Sequence, residues 1–406
     1  MNDRKKLMIA GLLILATAGC DGMMPSVQDA KVEANDRWNG TRATMLYGVA
    51  AEHFRVGQIE KAHAKVTKAL SMKEDLVDAR LLLARIHIER GENAAALREL
   101  HRVRETASRH PEATYLFGVA HEKKGDYREA LSHYRRAYEL DKSDLAPVRA
   151  AAEVLVQMGE FDRAQVYIES YVPHAESDPA TFEIAGRINV LCGDHARAAG
   201  HFRRALDLDP DNDEYRRCLA QAQFRGGQYV EAAVTLEHLA TAPRPSAWIP
   251  ARLGDCYMAM NKPTRARDAY ARACELDADD VRLQANLAKA MLATGRTRRA
   301  IQVAEQALAR EADCLDAMVV LGYALVAEGE PARARNLLQG GTLSHGDSPM
   351  LWCLLGRAHA ALGHRAEAIR CYTEALRREP DHRLARALLD AEEIEEVSRA
   401  DAPDAR

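Results

Sequence analysis

The sequence predicts an all-α solenoid of about ten tandem helix-turn-helix repeats, and three columns of residues carry that prediction. Ala62, Ala96, Ala130, Ala164, Ala198, Ala232, Ala266, Ala300, Ala334 and Ala368 stand 34 residues apart without a slip in register, the mark of a tandem array. Twelve residues before each comes Ala or Gly: Ala50, Ala84, Gly118, Ala152, Gly186, Ala220, Gly254, Ala288, Gly322 and Gly356. Small side chains at both places let antiparallel helices approach closely. Five residues before each alanine lies Gly57, Gly91, Gly125, Gly159, Gly193, Gly227, Asn261, Gly295, Gly329 or Gly363. Gly and Asn suit the left-handed conformation that ends a helix.

The elements follow in chain order. Arg4, Lys5 and Lys6 precede an apolar run from Leu7 to Ala16, too short to span a bilayer and of the length of a signal-peptide core. Ala18 and Gly19 then lead into Cys20. This segment resembles the lipobox of a bacterial lipoprotein, which implies residues 1–19 as a signal peptide and Cys20 as an acylated mature N-terminus that tethers the protein to a membrane. Thr17 departs from that pattern, where Leu is usual, and ordinary secretion or a simple anchor is the alternative. In Gram-negative lipoproteins an aspartate after the cysteine, here Asp21, resembles an inner-membrane retention signal. The expected location is therefore the cell envelope, facing the periplasm.

Residues 20–40 are polar, contain Pro25 and lack sustained periodicity, so they read as a linker. Repeats fill residues 41–380. Within them apolar residues recur at helical spacing, as in Leu253, Tyr257, Ala266, Tyr270 and Ala273. Pro263 and Pro331 fall at the start of second helices, and Pro147, Pro179 and Pro250 in or near the first turn of first helices, where the missing amide costs nothing. Gly340, Gly341 and the turn formers up to Pro349 predict a loose joint over 338–349. Leu384, Leu388, Leu389 and Ile394 on one side of an acidic stretch predict a capping helix over 381–397. Residues 398–406 read as a disordered tail.

The period and columns resemble the tetratricopeptide repeat, with small residues at its eighth and twentieth positions and a large residue near the twenty-fourth. The best copies run from Phe182 to Pro210, with Gly186, Gly193, Ala198, Phe202 and Ala205, and from Leu351 to Pro380, with Trp352, Gly356, Tyr372 and Ala375. The resemblance spans about Asn39 to Asp381. It implies a right-handed superhelix that binds protein or peptide partners on a concave face, through positions two, five, six, nine, twelve and thirteen of each repeat. Those positions hold Tyr47, Phe54, Arg85 and Tyr115 near the start. In the middle come Arg149, Glu153, Glu183, Arg187, Arg217, Gln221, Arg225, Arg252, Asp255, Arg282, Asn286 and Lys289. Val319, Val320, Tyr323, Cys353 and Leu354 stand near the end. Some arrays of the family hold a peptide carboxylate with Lys, Asn and Arg from three consecutive repeats. Arg217, Gln221, Arg252, Arg282 and Asn286 occupy the matching places without one identity, with Arg187 and Lys289 beside them, which suggests an anionic partner. The alternative is that Asp255 and Glu183 neutralise these arginines on a solvated surface.

Other chemistry is poorly represented. Net charge −4 and a pI near 6.4 speak against a nucleic-acid binder. Six Phe and three Trp mean that thin two-helix layers must be packed with Ala, Leu, Val and Tyr. Cys192, Cys218, Cys256, Cys274, Cys314, Cys353 and Cys371 contain no C-x-x-C pair and read mostly as small buried apolar residues. Cys353 and Cys371 are the obvious candidate bridge, but the repeat would point them apart. His53, His87 and His121 share one slot in successive repeats. Neighbouring helices stand about 10 Å apart, far beyond the roughly 2 Å of a metal bond, so packing explains them better than a metal. The run Asp207, Asp209, Asp211 and Asp213 lacks the Gly and Glu of a calcium loop, having Asn212 and Cys218 at those places, and reads as an inter-repeat turn. No catalytic constellation, cofactor motif or metal site is predicted. The expected function is a lipid-anchored scaffold for an envelope machine such as a type IV or tight-adherence pilus. A scaffold for exopolysaccharide synthesis and export, or a regulatory adaptor of an envelope enzyme, are the alternatives.

Overall fold

The computed structural model describes residues 27–241 and 246–400; Cys20 and the segment 1–19 lie outside them, as do 401–406. The chain divides into two compact blocks, residues 1–174 and 175–406. In the first, four antiparallel helix pairs follow one another. They are α1 (Val27–Arg55) with α2 (Ile59–Met72), α3 (Val77–Glu89) with α4 (Asn93–Thr106), α5 (Pro111–Lys124) with α6 (Tyr127–Leu140), and α7 (Ala146–Gln157) with α8 (Phe161–Glu169). A 3₁₀ turn at Val172–His174 closes the block.

The second block holds six pairs and a final helix. The pairs are α9 (Pro179–Leu191) with α10 (His195–Leu208), α11 (Asp213–Arg225) with α12 (Tyr229–Leu239), α13 (Trp248–Ala259) with α14 (Pro263–Leu276), α15 (Val281–Ala293) with α16 (Thr297–Arg310), α17 (Leu315–Glu328) with α18 (Pro331–Ser344), and α19 (Pro349–Ala361) with α20 (Arg365–Arg378). The last helix is α21 (Arg383–Ala400). No described residue forms a strand, and no described helix is long and apolar enough to cross a membrane.

Each turn inside a pair has one chemistry. In the first pair Gly57 N–H donates to Phe54 O at 3.0 Å and Gln58 N–H to His53 O at 2.8 Å, with Gly57 at φ +75°. This double bond satisfies carbonyls that the helix end leaves orphaned. Asn261 takes the same role at φ +56° and is the lone non-glycine with positive φ among the described residues. His53, His87 and His121 brace this turn from the side: their Nδ1 atoms lie 3.0, 2.6 and 3.3 Å from the side chains of Gln58, Glu92 and Asp126. The inter-repeat turn in the acidic run is capped by Asn212, whose Oδ1 accepts from Glu214 and Tyr215 N–H.

Packing explains why the small columns alternate between Ala and Gly. All ten column alanines are fully buried. Where the first-helix residue is Gly118, Gly186, Gly254 or Gly356, the facing second helix presents Tyr134, Phe202, Tyr270 or Tyr372. An added Cβ would lie 2.4–2.8 Å from those rings. Gly322 faces Leu338 in the same way at 2.6 Å. Where the column holds Ala, the corresponding second-helix residue is Val66, Leu100, Ile168, Leu236 or Ala304. Volume taken on one helix is given up on its neighbour, as close packing requires.

Three expectations change. The linker read over 20–40 is helical from Val27 onward, and residues 31–38 of α1 are exposed. Periodicity failed there because no buried stripe is needed. Alanine propensity and an ion pair one turn apart, Arg37 with Glu33 at 3.7 Å, favour the helix instead. The cap also extends beyond 397, since α21 runs to Ala400. Finally, α18 passes unbroken through Gly340 and Gly341 to Ser344. Gly341 is buried, and a Cβ there would stand 2.9 Å from Met318 Sδ. That glycine permits a close approach, and the expected loose joint over 338–349 shrinks to a short turn.

Candidate functional site: the first-helix groove

In both blocks the first helices carry the groove positions, because their other faces are occupied by their own second helices and by neighbouring repeats. In the second block the basic residues divide into two groups. Arg187 lies 3.7 Å from Glu183 and Arg252 Nη1 is 2.9 Å from Asp255 Oδ2, while Arg217 pairs with Glu214. Each partner sits on the same helix, one turn away. Arg252 is held further: its guanidinium lies 4.9 Å from the Phe224 ring centre and 5.9 Å from that of Trp248. Asp255 in turn accepts the Tyr270 hydroxyl at 2.6 Å, and burial together with that carboxylate pushes the phenol's pKa up. Two of the three guanidiniums expected to fork around a carboxylate, Arg217 and Arg252, are thus already engaged, as is Arg187 beside them.

The second group is unspent. Gln221, Arg282 and Lys289 are exposed and Asn286 half-buried. Among the described residues no side-chain hydrogen bond or ion pair engages them. Asn286 and Lys289 open onto a cavity of about 420 Å³ formed by α13, α15, α17 and α19. Val320 and Leu354 are its buried floor, and Met258, Leu292, Val319 and Met350 its sides. Tyr323 stands at the rim, 45% exposed, with the Arg357 guanidinium 5.1 Å from its ring centre. Asp316 is the single carboxylate in the lining. A cavity of this size and polarity accepts apolar side chains and orients them with a few polar groups.

The first block has its own smaller cavity of about 360 Å³, lined by Tyr47, Phe54, Leu81, Leu82, Arg85 and neighbours. Arg85 pairs there with Glu112 at 2.8 Å. Tyr115 packs 5.4 Å from the Tyr134 ring. Burial, then the Glu122 charge, pushes the Tyr115 hydroxyl's pKa up.

Every residue lining either cavity occupies one of the six groove positions expected from the repeat. Met258, Leu292, Asp316, Met350 and Arg357 were not singled out in the sequence, although they stand at those positions. Cys353 is a correction. Rather than facing the groove it is fully buried against Ala375 and Ala385, with its thiol 3.6 Å from His382 Nδ1, because α21 covers it. Cys353 and Cys371 are both free thiols, as are the other five described cysteines. Burial pushes Cys256, Cys274, Cys353 and Cys371 up to about 11, so they are protonated and poorly nucleophilic at neutral pH.

Models of the tetratricopeptide repeat match residues 81–144, 123–183, 193–248, 251–280, 291–357 and 349–382. The chain belongs to the tetratricopeptide repeat family. Tetratricopeptide repeat protein 37 of Xenopus laevis is 28% identical over 120 residues, 29% of this chain and 8% of that protein. Tetratricopeptide repeat protein 21A of Mus musculus is 25% identical over 281 residues, 60% of this chain and 20% of that one. This chain therefore spans a fifth or less of the length of these two relatives. Among solved structures, the APC/C hetero-tetramer Cut9–Hcn1 gives a TM-score of 0.45 at 15% identity, covering 86% of this chain and 76% of that one. The tetratricopeptide repeat is a scaffold for protein interaction, and this chain has its paired helices and groove positions.

Proposed function

We propose that this tetratricopeptide protein is a lipid-anchored scaffold that faces the periplasm, tethered through Cys20, and that its first-helix groove holds segments of protein partners in an envelope assembly such as a type IV or tight-adherence pilus. The observation that carries the binding part is the 420 Å³ cavity of the second block. An apolar recess open on the first-helix face suits a partner residue. The anchor part rests on the small residues that lead into Cys20. A single acyl chain binds membranes only marginally, so stable tethering needs the several chains that lipoprotein processing supplies.

The test has two arms. Mass spectrometry of membrane-extracted protein is expected to show an acylated N-terminal cysteine at residue 20, and Cys20→Ser to release the protein from the membrane fraction. An unmodified Cys20, or a variant that fractionates unchanged, rejects the anchor. A photo-crosslinking residue at Tyr323 is expected to trap an envelope protein in cells, and at exposed Val234 on the second-helix side to trap less of it. Equal trapping at both rejects the groove.

A further inference from the structure

We infer that the second-block cavity takes a peptide segment in which a bulky apolar side chain stands next to one or more carboxylates. This rests on the scaffold reading above and names the chemistry of its partner. The apolar half follows from the floor and sides: Val320, Leu354, Val319, Leu292 and the two methionines Met258 and Met350. Methionine side chains adapt to the shape of what they enclose. The acidic half follows from charge. Lys289 in the lining, Arg282 two turns away on the same helix, and Arg357 behind Tyr323 have no carboxylate partner among the described residues. Of the groove arginines of the preceding repeats, Arg187, Arg217 and Arg252 each have one, while exposed Arg225 has none among the described residues. The facing carboxylate, Asp316, sits in the first turn of α17, where the helix N-terminus already compensates its charge.

Unpaired positive charge therefore stands beside the apolar surface, in Lys289 and Arg357. In the middle of the groove Arg187, Arg217 and Arg252 are neutralised locally, and unpaired Arg225 is not in the lining of this cavity. A segment with an apolar anchor and an acidic neighbour would bury the anchor and meet Lys289 and Arg357 at the rim, with Asn286 free to bond its backbone. Arg357 over the Tyr323 ring fixes the rim in place before binding, which lowers the ordering cost.

The test is selection of a random-peptide phage library on the full chain, followed by fluorescence titration with the enriched sequence as a labelled synthetic peptide. Enrichment of an aliphatic or aromatic residue with adjacent Asp or Glu is expected. Val319→Asp should then weaken the synthetic peptide by about tenfold or more. Lys289→Glu should weaken it by about tenfold, and that loss should vanish for the same peptide with its carboxylates changed to amides. Thermal melts verify that these surface variants fold. Basic or unpatterned selected sequences overturn the inference. So does binding that ignores Val319→Asp and Lys289→Glu; if it is instead lost on Tyr47→Ala in the first block, the scaffold reading survives and only this inference falls.

Discussion

At the scale of single residues, packing decides which glycines can be replaced. Gly186 faces the Phe202 ring, and a Cβ would sit 2.8 Å from two of its carbons. Gly186→Ala is expected to lose about 1–3 kcal/mol through overpacking. Gly340 is the control: nothing lies within 4 Å of its Cβ position, and it is inside a helix. Gly340→Ala is expected to gain about 0.5–1 kcal/mol from helix propensity alone. Denaturant titrations of both variants check this, and a like-signed effect would contradict the volume exchange between facing helices. The same exchange connects sequence to fold. The alternation of Ala and Gly in one column has no reason within its own helix, and the reason becomes visible only against the ring on the partner helix.

At the scale of elements, the first block holds a cluster of imidazoles between α2 and α6. His133 stacks on Phe117 at 5.1 Å and on His121 at 5.3 Å, and His63 meets His87 edge-on at 5.7 Å. Burial, then the charges of His121, Arg104 and His101, lowers the pKa of His133; Glu129 opposes them weakly. Burial, then Arg90 and His87, lowers that of His63 against Glu60 and Glu92. A folded-state pKa below the unfolded value of about 6.5 means that the unfolded chain binds protons first as pH falls. The stability these rings contribute is complete above about pH 6.5 and is lost on acidification below it. Hydrogen exchange in α2–α6 should therefore be faster at pH 5.5 than at pH 7.5, after correction for intrinsic rates, and His133→Phe should reduce the difference. Protection that is flat with pH would show that the imidazoles keep their solvent pKa values.

At the scale of the whole molecule, each repeat depends on its immediate neighbours, so damage should remain local. The final helix α21 covers Cys353 through Ala385 and is tied back by Arg365 to Glu392 at 3.3 Å. Truncation after residue 381 is expected to speed exchange in α19 and α20 and to leave the first block unchanged. Simultaneous loss of protection throughout would indicate a single cooperative core instead.

The resemblance to the tetratricopeptide repeat supplied the six positions from which the two groove cavities are lined; the sequence by itself determined the period, the pairing of helices and the turn chemistry at Gly57 and its equivalents. Those features repeat, and each follows from local sterics: a left-handed turn admits Gly or Asn, and close helices admit small residues. Tertiary structure decided which of the local ion pairs form and which groove side chains line a cavity or are covered. Arg187, Arg217 and Arg252 have carboxylates one turn away on their own helices and pair with Glu183, Glu214 and Asp255, whereas Arg282 and Lys289 are unpaired among the described residues and Lys289 lines the cavity. Likewise Cys353 shares its repeat position with Val319 but is buried beneath α21. Whether a charge is spent or a side chain covered depends on rotamers and on the next element in the stack, and the repeat pattern specifies neither.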